Sequence, residues 1–320
     1  MMNPTRSLTD VQGLKVGSAE DMTALTGCTV VLTEATGAVC GVDVRGSSPG
    51  TRETDLLNPI NMIEKVHAIL LSGGSAYGLD AAGGVMRYLE EQGIGHRAGR
   101  GVVPIVPAAV LFDLEAGDFH RRPDADMAYA ACQAANLSVR EGNVGAGAGA
   151  TVGKIRGMEY CSKSGQGTWS YTMPGSDLTV SALVAVNSLG DVIDPRDGSI
   201  IAGVRDDRGQ IIGTEIAFKA MSATAPEAGT NTTIGVVASN ARLNKSQANK
   251  VAQMAHDGLA RSISPIHTLH DGDTIFALAT GEVEADVSVV GFISQQVMMR
   301  AVVRAVQTAE TVLNFRCWRD

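Results

Sequence analysis

Residues 230–235, Thr-Asn-Thr-Thr-Ile-Gly, set two hydroxyls and an amide directly ahead of an apolar run over 234–238. Asparagine and threonine before a strand are ordinary turn residues, and taken alone the segment says no more than that. The same residues also admit a specific chemistry. The Thr232 Oγ attacks the carbonyl of Asn231, and the ester so formed hydrolyses. The released α-amine, with a reference pKa of about 7.7–8.0, then serves as base for the same oxygen. Nucleophile and base come from one residue, so no Ser-His-Asp order is required elsewhere. Asn231-Thr232-Thr233 also fits a glycosylation sequon, which has meaning only behind a secretory signal.

A second concentration of functional groups is His267-Thr-Leu-His270-Asp271-Gly-Asp273. Imidazoles and carboxylates this dense suit a divalent metal. No ligand pair of matching spacing stands elsewhere, and Asp-Gly-Asp lacks the remainder of a calcium loop. The segment is expected to hold no metal. It is either a polar turn or a mounting for two carboxylates, Asp271 and Asp273, at a strand edge. Residues 142–154, Gly-Asn-Val-Gly-Ala-Gly-Ala-Gly-Ala-Thr-Val-Gly-Lys, suggest a nucleotide loop but fail its requirements. Ala148 stands where the first phosphate-loop glycine belongs, and Ile155 replaces the magnesium-binding hydroxyl. A tightly packed Gly-Ala segment is the simpler expectation, with Lys154 at its end available to a site. Gly46-Ser-Ser-Pro-Gly50 matches a nucleophile elbow only in letters, because the charged segment that follows, ending at Pro59, is no helix.

Composition bounds these readings. A chain of 320 residues with 44% hydrophobic and 19% charged residues has the make-up of a globular protein, one domain being the better expectation. A net charge of −8 argues against nucleic acid as a partner. Five scattered cysteines, never in C-x-x-C spacing, fit reduced thiols. The first residues lack the apolar core of a signal peptide, and the most apolar stretch carries two prolines. The expectation is a soluble, cytoplasmic protein without membrane partner or cofactor.

The elements that must position the candidates follow from periodicity. Two strands joined by an Ala-Thr-Gly turn occupy 27–46, and residues 60–66 look helical, running into a strand over 68–71. Helices are predicted over 76–92, stopped by Gly93, and over 125–135. Strands are expected over 178–186, 192–193, 199–204, 234–238 and 273–280. Asn244 or Ser246 caps a helix over 247–262. A helix apolar nearly all round, over 292–313, belongs in the core or a subunit interface. The pattern predicts an α+β layering of sheets covered by helices. Residues 227–233 alone resemble a boundary between two bodies.

Six blocks in order carry a family resemblance: "RGSSPGTRETDLL", "LSGGSAYGLDAAGGV", "VPAAVLFDL", "GAGAGATVGK", "TNTTIGVVASNARL" and "HTLHDGDTIFALATG". Together they resemble the DmpA-type N-terminal-nucleophile aminopeptidases, a family that includes L-aminopeptidase/D-esterases, β-aminopeptidases and nylon-oligomer hydrolases. The resemblance implies a four-layer αββα sandwich, shared with ornithine acetyltransferases, and an amide-bond hydrolase that cuts itself between Asn231 and Thr232. The products would be 1–231 and 232–320, with Thr232 as nucleophile. Asn187 matches the family's oxyanion donor. Lys154, Asp271 and Asp273 match the lysine and acidic pair of the nylon-oligomer branch. Implied substrates are small peptides, amino-acid amides or amide oligomers such as those of 6-aminohexanoate, and a homo-oligomer, a tetramer of cleaved protomers, is implied as well. Acyl transfer on the same fold is the alternative chemistry. The chain departs from the pattern in having threonine where other members begin the small subunit with serine. Phe112 stands where some relatives have tyrosine.

Overall fold

The computed structural model describes residues 6–220 and 231–320. Four of the residues resembling a boundary, 227–230, lie outside them. A six-stranded sheet runs in the order Gln166–Thr172, Thr179–Asn187, Thr232–Ala241, Thr274–Val283, Ala38–Val44 and Lys65–Val66. A five-stranded sheet has the order Lys15–Asp21, Thr26–Leu32, Ala68–Ser72, Ala108–Val110 and Gly50–Arg52. The inner faces of the two meet in a core of Val31, Ile69, Leu71, Leu183, Ile234, Val236, Phe276 and Leu278. Helices Lys245–Ala260 and Val287–Gln307 cover the outer face of the first sheet, and Ala82–Glu91 and Ala125–Gln133 that of the second. The order of layers is αββα, as the resemblance implies.

Burial on both faces explains why the central strands are apolar without alternation. Along Thr232–Ala241, Ile234, Val236 and Ala238 face the other sheet, while Val237 and Ala241 face the helices. Close approach accounts for part of the glycine content. A methyl at Gly41 would fall 2.2 Å from Asn249 N, and one at Gly167 2.2 Å from the Ala301 carbonyl, so the helices can lie flat on the sheet only over bare backbone.

Several expectations shift. The strands around the Ala-Thr-Gly turn do not pair with each other. Thr26–Leu32 joins the five-stranded sheet and Ala38–Val44 the six-stranded one, so the turn crosses between layers and both strands contribute to the core they enclose. Residues 60–66 are not helical. Lys65 and Val66 pair with Val39 and Ala38, and the ammonium of buried Lys245 takes the carbonyls of Leu56, Asn61 and Ile63. The helix over 76–92 splits into a 3-10 turn, Ser75–Ala81, and the α-helix Ala82–Glu91. Asn244, not Ser246, caps the next long helix, with Gln247 completing a capping box. The last helix begins earlier than its apolar run, at the Asp286 cap, and ends at Gln307. Its most apolar stretch has mean hydropathy 1.3, enough by length and composition to cross a membrane, but 67% of that stretch is buried against the sheet and its neighbour helix. Strands Lys15–Asp21, Ala108–Val110 and Gln166–Thr172 have no counterpart in the pattern analysis.

Candidate active site

Three chain segments reach the same end of the six-stranded sheet. Strand Thr232–Ala241 is flanked by Thr179–Asn187, antiparallel, and by Thr274–Val283, parallel. The parallel pair is joined through helix Lys245–Ala260, so both strands start at one edge. The antiparallel partner finishes there, which sets Asn187 directly opposite Thr232 in the ladder. The His267–Asp273 loop enters from the other side, with Asn231 bridged to Asp271. Thr232 and Thr233 are therefore the first residues of the strand rather than a turn ahead of it. Thr232, Asn187, Lys154, Asp271 and Asp273 are all buried.

The Thr232 hydroxyl donates to the carbonyl oxygen of Asn231, the group it would attack. That oxygen also accepts from the Gly272 backbone N–H at 3.3 Å. The Lys154 ammonium donates to Asn187 O at 3.0 Å and to Asn187 Oδ1 at 2.8 Å, and Thr151 N–H donates to the same Oδ1 at 3.0 Å. Two donors on Oδ1 fix which end of the amide is nitrogen. Nδ2 donates one hydrogen to the Phe112 carbonyl at 2.8 Å, so the expected oxyanion donor is oriented by its neighbours and retains its second N–H.

The two carboxylates are held differently. Asp273 accepts the Thr233 N–H at 2.7 Å on Oδ1, and the His267 N–H at 3.2 Å and Nδ1 at 2.8 Å on Oδ2. Asp271 accepts Thr268 N–H at 2.8 Å and Thr268 Oγ1 at 2.6 Å on one oxygen, while its Oδ1 is buried without a partner among the described residues. Burial, then the charge of Asp273, raises the Asp271 pKa. Burial lowers Lys154 to about 8, against the partial compensation of nearby acidic groups that include Asp271 and Asp113. Asp113, accepting from Thr26 Oγ1 and Gly74 N–H, is raised by burial to about 6. An ammonium of lowered pKa buried beside carboxyls of raised pKa suits acid–base chemistry near neutrality.

All five predicted site residues thus stand in one cluster. Sequence reasoning missed the Gly272 N–H, the Phe112 carbonyl and Asp113. Backbone groups leave no sequence signal, and nothing marks Asp113 among the other acids. His267 was considered only as a metal donor or turn residue. Among the described residues no group of three or more His, Cys, Asp or Glu is placed to hold a metal ion, and the His267 ring is engaged with Asp273. The Gly-Ala segment is a buried 3-10 turn, Gly145–Gly147, leading to the short strand Thr151–Val152 and Lys154.

A model of peptidase family S58 matches residues 6–316. An aminopeptidase from Mycobacterium leprae, described as uncharacterized, is 45% identical over 98% of this chain and 93% of its own. A 6-aminohexanoate-oligomer endohydrolase from Paenarthrobacter ureafaciens is 32% identical over 92% of this chain and 84% of its own. The L-aminopeptidase D-Ala-esterase/amidase of Ochrobactrum anthropi, described as a new variant of the Ntn hydrolase fold, shares the fold with TM-score 0.74 at 18% identity, over 99% of this chain and 91% of that one.

Proposed function

The chain belongs to peptidase family S58 and is a hydrolase of amide bonds of the aminopeptidase type; from that premise we propose that it cuts itself between Asn231 and Thr232 and then works through Thr232 as an N-terminal nucleophile. The observation that carries the reading is the Thr232 hydroxyl held on the carbonyl of its own preceding peptide, with a backbone N–H already on that oxygen.

In maturation, the Oγ–C bond forms as the C–N bond breaks. The Asn231 oxygen carries negative charge in passing, and the Gly272 N–H is aimed at it. The proton of Oγ passes to the leaving nitrogen, which becomes the Thr232 α-amine, and water hydrolyses the ester to leave Asn231 as a new C-terminus. In turnover the α-amine takes the proton of Oγ, which attacks the substrate carbonyl to form an acyl-enzyme. The amine product departs with that proton, and water releases the acid. The second Asn187 N–H is the side-chain donor for the substrate oxyanion. The Lys154 charge disfavours protonation of the α-amine and so keeps it basic. Asp271, with its raised pKa and an oxygen that has no partner among the described residues, is suited to exchange a proton with the amine.

Small peptides and amino-acid amides are the substrates this reading favours. Endo-cleavage of 6-aminohexanoate oligomers is the second reading, supported by the Lys154, Asp271 and Asp273 set and the endohydrolase relative. Intact-mass measurement on purified protein tests the first claim. Wild type should yield fragments 1–231 and 232–320, and Thr232→Ala a single uncut chain. Processing of the variant at the wild-type rate would refute the assignment. Amino-acid anilides, peptide amides and 6-aminohexanoate oligomers, assayed with and without an amine acceptor, separate exo-cleavage, endo-cleavage and acyl transfer.

A further inference from the structure

We propose that His267 is a positioning residue of this site, its Nδ1–H anchoring Asp273 and, through Asp273, the Thr233 amide next to the reacting Asn231–Thr232 bond. The inference rests on Thr232 being the nucleophile and adds to that reading a residue to which the sequence analysis gave no part in the reaction.

The geometry makes the contact directional. Asp273 is fully buried, and both of its oxygens are occupied by N–H donors, one of them the imidazole. Three N–H groups on one carboxyl fix its orientation. Its neighbour Asp271 has one oxygen without a partner among the described residues, so the pair divides into a fully engaged carboxyl and one with an oxygen to spare. Asp273 Oδ1 grips the Thr233 N–H, one residue beyond the nucleophile, so a swing of this carboxylate moves the start of the strand. His267 is suited to prevent that swing. Nδ1 must be the protonated nitrogen, since its partner is an acceptor, and the ring is wedged edge-to-face against His256 with centroids 4.9 Å apart. His256 in turn places Nε2 2.9 Å from the Asp43 carbonyl. The His267 backbone has φ of +59°, a conformation rarely kept by a non-glycine residue unless its surroundings impose it. The ring meets Asp273 in its own loop and His256 on helix Lys245–Ala260, and behind His256 stand Asp43 and Arg45 at the end of strand Ala38–Val44.

Three variants of the full chain test the proposal. His267→Asn keeps an N–H donor where Nδ1 stands and tolerates the left-handed backbone. His267→Gln carries its donor one bond too far, and His267→Phe keeps the ring without a donor. The readout is the rate of conversion of freshly translated precursor into its two fragments across a pH series, with circular dichroism to verify folding. The Asn variant is expected within about 3-fold of wild type, and the Gln and Phe variants slower by on the order of 10²-fold, the loss typical of displaced reacting groups. Gln and Phe variants with wild-type rates, or a folded Asn variant as slow as them, would overturn the role of His267. Should the Phe variant not fold, the Asn and Gln pair decides alone. A wild-type chain left uncut at Thr232 removes the nucleophile and this proposal together, whereas a wild type that is cut beside unaffected His267 variants removes only the latter.

Discussion

Replacing Gly272 by alanine would put a methyl carbon 2.8 Å from Thr232 Oγ1, 2.7 Å from the Ser48 carbonyl oxygen and 3.2 Å from Pro49 Cα. Non-bonded contacts settle near about 3.5 Å, so the methyl needs about 0.7 Å more room from the hydroxyl. Ser48 cannot readily give way, because its N–H is bonded to the Asp271 carbonyl and its hydroxyl to the Leu269 carbonyl, each at 2.9 Å. The Thr232 side chain must turn, or the Gly272 N–H must leave the Asn231 oxygen. A displacement of about 1 Å at a reacting centre costs on the order of 10²-fold. About 0.7 Å therefore predicts processing slower by about 10- to 30-fold, a barrier higher by about 1.4–2 kcal/mol. Overpacking should also lower stability by about 1–3 kcal/mol. The assay follows loss of full-length precursor by intact mass at fixed pH, with thermal melting alongside. Gly83→Ala is the control: that glycine lies exposed in helix Ala82–Glu91 with nothing within 4 Å of an added methyl. It should leave processing unchanged and gain about 0.5–1 kcal/mol. A Gly272→Ala chain that cuts at the wild-type rate and melts unchanged would mean that the reaction does not occur at this hydroxyl.

Asn187→Ala removes the proposed side-chain oxyanion donor and strips partners from Lys154, the Thr151 N–H and the Phe112 carbonyl. Steady-state kinetics should show kcat reduced by about 10²–10³-fold with KM little changed, and denaturant melts a loss of about 1–3 kcal/mol; equal effects on both kinetic constants would speak against an oxyanion role. For Lys154, burial lowers the folded pKa to about 8 from an ordinary 10.5. Between those values the unfolded chain binds more protons than the folded one, so stability rises with pH from about 8 to about 10.5, by at most about 3 kcal/mol. Lys154→Met should flatten that part of the rise, leaving the share of buried Lys163, lowered to about 7, and should slow turnover. Urea midpoints with the wild-type pH slope would refute the assignment of the rise to Lys154.

Much of the architecture could be inferred along the chain because its causes are local. Asn244 and Gln247 meet within one helical turn, Asp124 caps Met127, and the apolar runs that became central strands need no distant partner to identify them. Motif order sufficed to nominate Thr232, Asn187, Lys154, Asp271 and Asp273. Their relation to one another was not legible. Asn187 faces Thr232 only through ladder register, and Asp273 reaches Thr233 only because a helix returns the chain to a parallel neighbour starting at the same edge. The same limit misled the reading of 60–66, where a lysine from a distant helix takes carbonyls that a helix would have used.

By itself, then, the sequence determined the long helices and the central strands, which residues are candidates for nucleophile, amide donor, ammonium and carboxylate, and that helix-covered sheets would form. Tertiary structure alone decided that the two carboxylates differ, that an imidazole is bonded to one of them, and that a backbone N–H points at the carbonyl ahead of Thr232. Propensity, capping and hydrophobic periodicity act over a few residues. Burial, pKa and hydrogen-bond partnership depend on groups brought from dozens to hundreds of positions away, and those distances close only when the layers pack.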